Sequence, residues 1–275
     1  MRSAPHTCPL CQSGKSTCIG DELFRCGSCG AAFNDGHHSL QYDTDYFIKE
    51  YRDQYGRTYE EDFPHIYSLA MERLDTVFSL LDKQASLPSL SLIDIGSALG
   101  FFLKAARDRG VGRVMGIEIS DYAGSYCREH FGIDVINDSF DNIKELPVVD
   151  MITAWFFIEH CADPARVMRL IYDSLNPGGV FAFSAPSVSG PLYHFHRSEW
   201  IETHPADHRV DFTPGAARRA LKQAGFRRVE VRPCGFHPER ILSPSSRFYA
   251  PFSGLYRLFS GLTAYSDTIE IYAIK

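Results

Sequence analysis

Eight cysteines occur in the 275 residues, and five of them, Cys8, Cys11, Cys18, Cys26 and Cys29, crowd the first 29. Four pair by spacing: Cys8-Pro-Leu-Cys11 and Cys26-Gly-Ser-Cys29 are C-x2-C knuckles with fourteen residues between them. Each knuckle aims two thiolates at one ion, so two knuckles supply a tetrahedron of sulfurs. Zinc takes that geometry, and four protein ligands leave no position open for a reacting water. One structural zinc on Cys8, Cys11, Cys26 and Cys29 is therefore expected. Cys18 is left over, and His37 and His38 are substitute ligands that nothing requires. In a secreted chain the cluster would read as disulfides. The first residues lack the apolar core of a signal peptide, so a reducing, cytoplasmic setting is expected instead.

A second set of residues points to a nucleoside. Residues 91–102 read Ser-Leu-Ile-Asp-Ile-Gly-Ser-Ala-Leu-Gly-Phe-Phe, an apolar strand running through Gly96, Ala98 and Gly100 into a helix. Small residues at such a turn let the backbone approach a ligand closely. Glu118 ends the next strand, where its two oxygens can accept both hydroxyls of a ribose. The turn is not the G-x-G-x-x-G of dinucleotide enzymes. Residues 185–212 carry Tyr193, His194, His196, Trp200, His204, Asp207 and His208 and are expected to form a polar, substrate-facing lid. An ordinary histidine-rich surface loop and a second metal site stay open as readings of the same stretch.

These groups need a scaffold, and the pattern supplies one. Tyr42, Tyr46, Phe47, Tyr51, Tyr55, Tyr59 and Phe63 recur mostly four apart, which predicts an aromatic helical face over 42–63, and a second helix follows over 66–82. From residue 90 strands and helices alternate: strands over 90–95, 113–117, 133–136, 148–155, 180–183, 228–231 and 268–274, with helices over 101–109, 121–130 and 164–175 and one from Thr213-Pro214 to Gly225. A turn is expected at 176–179, and 233–263 reads as another insertion. Repeated β-α units require a parallel sheet covered on both faces, with its ligand beyond the carboxyl ends of the strands. Residues 1–40 are expected to be a metal-held module and 41–275 one α/β domain. The charge sum of −6 carries no basic stripe, which argues against nucleic acid, and no apolar run is long enough to span a membrane.

The motifs have a family likeness. Over roughly residues 42–275 the chain resembles class I S-adenosylmethionine-dependent methyltransferases, in the branch of ubiquinone and sugar methyltransferases. Asp94-Ile-Gly-Ser-Ala-Leu-Gly100 is similar to their first motif, with Ala98 where a glycine is usual, and Met115-Gly-Ile-Glu118 to the ribose motif. Asp138 and Ser139 stand where a polar residue meets the adenine amine. The segment from Asp150 to Trp155 is similar to the family's fourth strand, and Glu159-His160-Cys-Ala-Asp-Pro164 to the Glu-His-x-x-Asp-Pro segment after that strand. Leu175-Asn-Pro-Gly-Gly-Val180, His208-Arg-Val-Asp-Phe-Thr-Pro214 and Ala224-Gly-Phe226 match the same branch, some of whose sugar enzymes begin with a four-cysteine zinc ribbon. The resemblance implies a Rossmann-like fold with a mostly parallel seven-stranded sheet, plus a small zinc ribbon. It also implies S-adenosylmethionine as cofactor, held by Asp94, Gly96, Ala98, Gly100, Glu118, Asp138, Ser139 and Trp155.

Methyl transfer from a sulfonium is a direct displacement, so positioning is the main task of the protein. A hydroxyl acceptor also needs its proton removed. His160 is the candidate general base, because it follows the fourth strand and imidazole is the side chain suited to proton transfer at neutral pH; capping of the next helix is the competing role. The expected acceptor is a small molecule, with a sugar or nucleotide-linked sugar preferred. An RNA methyltransferase using its zinc module for docking, and a non-catalytic nucleoside-binding protein, are the alternatives. Oligomeric state is not legible.

Overall fold

A computed structural model of the chain describes residues 6–36, 44–81 and 86–275. His37, His38, Tyr42 and Asp82 lie outside the described residues. Three short strands come first: β1 (Ser16–Gly20), β2 (Leu23–Cys26) and β3 (Ala32–Asn34). The antiparallel β1–β2 hairpin delivers Cys26 to the second knuckle.

The aromatic segment is not the continuous helix expected over 42–63. A wide turn over Tyr46–Glu50 leads into α1 (Tyr51–Tyr55), where Gly56 at φ 75° stops it in the left-handed conformation. Several of its rings still meet one another: Phe47 with Tyr59, and Tyr51 with Tyr55 and Tyr59. Phe47 packs with Leu99, Phe101 and Ala123, and the Tyr59 ring stacks on Phe101 at 5.4 Å. Next comes α2 (Phe63–Leu80), with a proline in its first turn, where the missing N–H costs nothing.

The alternating pattern then appears as expected: β4 (Ser91–Ile95), α3 (Phe101–Asp108), β5 (Arg113–Glu118), α4 (Asp121–Phe131), β6 (Val135–Asn137), β7 (Val149–Trp155) and α5 (Pro164–Asp173). The remainder is β8 (Leu175–Ser189), α6 (Pro191–Phe195), α7 (Arg197–Glu202), β9 (Val210–Asp211), α8 (Pro214–Ala224), β10 (Arg228–Pro233), α9 (Tyr249–Thr263) and β11 (Ser266–Ile274). Seven strands hydrogen-bond in the order β10-β11-β8-β7-β4-β5-β6, with β4 parallel to both β5 and β7, and β5 parallel to β6. Every residue of β4 is buried, as an inner strand covered on both faces requires.

Two expectations fail here. The turn placed at 176–179 is drawn into β8, because Lys275 donates its N–H to the Gly179 carbonyl at 3.0 Å and lengthens the pairing of β8 with its neighbour β11. Residues 185–212 are not a loop either: they hold the end of β8, α6, α7 and β9.

The chain divides into two compact units. One gathers the described part of Met1–Ser39 with Phe156–Arg169 and Phe183–Ala273; the other gathers the described part of Leu40–Trp155 with Leu170–Ala182 and Ile274–Lys275. The first contains a four-stranded sheet, β1-β2-β3-β9, in which Ala32 opposes Asp211 and Phe33 opposes Val210. Its apolar centre is Leu23, Ala32, Val188, Tyr193 and Trp200. No helix among the described residues is long and apolar enough to cross a membrane.

Candidate functional site

The glycine turn after β4 is built from left-handed backbone. Gly96, Ala98 and Gly100 have φ of 69°, 47° and 82°. At Gly100 a Cβ would also collide with the sulfur of Cys127, so only glycine fits. Glu118 secures this turn with both oxygens: Oε2 accepts the Ala98 N–H at 2.8 Å and Oε1 the Ser120 N–H at 2.9 Å. Burial pushes its carboxyl up, against the pull of those backbone donors. Each oxygen keeps lone-pair capacity for a hydroxyl.

Asp94 is buried beneath the turn and accepts the Thr153 hydroxyl at 2.6 Å. Desolvation pushes its carboxyl up to about 7. Asp138 and Ser139 brace their own turn: Asp138 accepts from the Ser139 N–H and the Asn142 amide, and the Ser139 hydroxyl accepts the Asp141 N–H. Trp155 ends β7 with the Arg73 guanidinium 4.2 Å from its ring centre and Phe102 against it.

Two buried polar atoms here, Ser97 Oγ and Trp155 Nε1, find no hydrogen-bond partner among the described residues. Orphans of this kind mark a place for a polar ligand. Tyr59 was legible only as one ring of an aromatic stripe. It is partly buried, and burial, then the charges of Tyr46, Tyr51, Asp94 and Glu118, raise its phenol well above the usual range. The stripe therefore reaches the acids of the crevice. Arg73 carried a sequence signal that was overlooked, a cation on the apolar face of α2.

A second cluster lies wholly within the other unit. His160 Nδ1 meets Asp207 Oδ2 at 2.8 Å, and Asp207 is 4% exposed. Asp211 on β9 takes His204 Nε2 at 2.5 Å and His208 Nδ1 at 3.3 Å. Burial opposes the charge of Asp211, but these two imidazoles hold its carboxyl below the usual range. The rings of His160 and His208 meet edge to face at 4.9 Å. Glu159 is 1% exposed, and its Oε2 has no hydrogen-bond partner among the described residues. Burial pushes that carboxyl up to about 7. The sequence named His160, and only grouped Asp207 with the histidines of 185–212. That Asp207 faces His160 was not legible, because the two come from distant segments.

At the N-terminus the sulfurs of Cys8, Cys11, Cys26 and Cys29 all lie within 4.8 Å of one another, with Cys8–Cys29 at 3.7 Å and Cys11–Cys26 at 3.5 Å. Sulfurs at ~2.3 Å from a tetrahedral zinc are about 3.8 Å apart. The donor set thus fits a zinc ion. The bond shared with Cys29, then burial, pushes the Cys8 thiol far up, while the same bond holds Cys29 down. Thiolates this close need a cation between them. Cys18 is exposed and apart from the set.

The family described as "Methyltransferase domain" matches residues 64–231, more than half of the chain. A curated relative, the ubiquinone biosynthesis O-methyltransferase of Burkholderia pseudomallei, is 24% identical over 192 residues, 64% of this chain and 80% of the relative. Among solved structures, an S-adenosylmethionine-dependent methyltransferase from Archaeoglobus fulgidus is similar with a TM-score of 0.55 and 19% identity, covering 79% of this chain and 98% of that one. The plantazolicin methyltransferase BpumL, solved with SAH, gives 0.54 and 16%, covering 82% and 87%. These structures share the fold. The chain belongs to the methyltransferase-domain family and is a class I S-adenosylmethionine-dependent methyltransferase.

Proposed function

We propose that the enzyme methylates a hydroxyl of a small molecule, a sugar or nucleotide-linked sugar by preference, and that His160 takes up the proton. The hydroxyl oxygen forms its bond to the methyl carbon as the sulfur–carbon bond breaks, S-adenosylhomocysteine leaves, and the O–H proton passes to the imidazole. The observation that carries this reading is the buried Asp207 on His160 Nδ1 at 2.8 Å. A carboxylate in that place fixes the ring and stabilises the imidazolium that forms. The curated relative is named as an O-methyltransferase, which favours a hydroxyl acceptor.

The donor is assigned to the crevice of Gly96, Ala98, Gly100 and Glu118, with Asp94 supporting the turn from below. Asp138, Ser139 and Trp155 complete it on the adenine side. S-adenosylmethionine supplies the electrophilic methyl group there; the residues bind and orient it. Residues 1–40 are read as a zinc ribbon and 41–275 as the methyltransferase domain, in a cytoplasmic setting.

Labelled S-adenosylmethionine, incubated with fractionated metabolites and separately with fractionated RNA, tests the acceptor class. Label in a sugar-containing fraction is expected; label in RNA alone would refute the small-molecule reading. The zinc is tested by elemental analysis of protein purified without added metal. About one equivalent per chain is expected, lost in Cys26→Ser and retained in Cys18→Ser. Eight freely titratable thiols without zinc would remove the ribbon.

A further inference from the structure

We propose that Glu159, His160 and His208 form a binding site for a divalent transition-metal ion, separate from the cysteines. One carboxylate oxygen and one ring nitrogen from each histidine lie within 4.8 Å of one another. Ligands at about 2.0–2.2 Å from a shared ion sit roughly 3–3.5 Å apart, so closure takes small side-chain shifts. Two imidazoles and one carboxylate suit zinc, iron(II) or cobalt(II), and three protein ligands leave open positions for water or an acceptor oxygen.

Three observations point to a cation. First, Glu159 Oε2 is buried without a hydrogen-bond partner among the described residues, an arrangement that costs free energy unless a positive charge meets it. Second, each histidine is held from behind. Nδ1 of His160 is on Asp207 and Nδ1 of His208 on Asp211, and a ring held through Nδ1 offers Nε2 as ligand, the usual support of metal-bound histidine. Third, Glu159, Asp207 and Asp211 put three buried carboxylates beside three imidazoles, those of His160, His204 and His208. The guanidinium of Arg209, whose backbone N–H meets the Glu159 carbonyl, turns to the Asn34 carbonyl and to Asp35. With the imidazoles neutral the site carries an excess of negative charge that a divalent ion offsets.

This goes beyond the proposed function and rests on it only for the use of the ion. His160 is a ligand in the loaded protein and a proton acceptor in the ion-free one. The test is titration of the intact, zinc-containing chain with cobalt(II), read by absorption. One further cobalt per chain is expected, with the spectrum of nitrogen and oxygen ligation and no thiolate-to-metal charge transfer. Glu159→Gln and His208→Gln should each weaken it at least tenfold, and Asp207→Asn about 10–100-fold. No cobalt beyond the cysteine site, or affinity unchanged in both ligand variants, overturns the proposal. If Glu159→Gln does not fold, the wild-type count and His208→Gln decide it. A thiolate charge-transfer band as the sole new signal places the added cobalt on the cysteines and overturns the proposal as well. Turnover of His160→Ala in chelator-treated buffer reports separately on the base.

Discussion

The donor crevice and the histidine cluster hold their functional groups in opposite ways. In the crevice the holding is done by backbone: three alternate left-handed positions, Gly96, Ala98 and Gly100, shape the turn, and Glu118 spends its oxygens on two N–H groups. In the cluster it is done side chain to side chain, with Asp207 on His160 and Asp211 on His204 and His208. A backbone-built site should lose affinity by degrees when altered. A side-chain-built one should lose its chemistry with a single group.

The largest expected effect tests that second statement. His160→Ala should lower turnover roughly 10²–10⁴-fold while calorimetric donor affinity stays nearly constant. Asp207→Asn should lower turnover as well, because the ring then loses the carboxylate that orients it and steadies the imidazolium. An active His160→Ala variant would shift proton removal elsewhere and leave positioning as the whole of catalysis.

Asp94 gives the next largest effect, and its sign is fixed by burial. The folded carboxyl titrates at about 7 and the free one at 3.8. Between about pH 4 and 7 the folded chain therefore retains a proton that the unfolded chain has lost, so stability falls as pH rises through this window. At ~1.4 kcal/mol per pH unit across that window the loss amounts to about 4 kcal/mol. In Asp94→Asn, whose side-chain oxygen still accepts from Thr153, urea midpoints at pH 5 and 7.5 should lie closer together than in the wild type. An equal spacing in both would show that Asp94 stays ionised throughout.

Glu118→Ala comes third, at ~1.5–3 kcal/mol of donor affinity, because a charge-assisted acceptor is lost. The bonds to Ala98 and Ser120 add a second expectation that the sequence did not contain: the melting temperature should drop as well. Unchanged affinity in calorimetry would make Glu118 a brace of the turn and nothing more.

This contrast also explains what was legible. The crevice could be read because its parts succeed one another along the chain, each a strand end and its turn, with the small residues Gly96, Ala98 and Gly100 at the positive φ values of the first turn. The cysteine knuckles were local for the same reason. Asp207 facing His160 is a contact between distant segments that leaves no periodic mark, whereas Asp211 lies only three and seven residues from His208 and His204, in a stretch read as a loop rather than as a strand paired with β3. The aromatic stripe misled in the other direction. Its spacing suggested one helix, and Gly56 was a sufficient reason to break it.

Ala98 offers the finest test of a backbone-built crevice. It sits at φ 47° with its N–H on Glu118, in a conformation where a side chain costs about 1 kcal/mol and glycine costs little. Its methyl group packs at the edge of the cluster around Phe47, Leu99 and Phe101, which offsets part of that strain. Ala98→Gly should therefore stabilise the fold by ~0.5–1 kcal/mol and leave turnover nearly unchanged, since the group that meets Glu118 is the peptide N–H and not the side chain. A chemical-denaturation midpoint that rises with an unaltered slope is the expected result. A fall would mean that the methyl contact outweighs the strain, and that the crevice depends on this side chain after all.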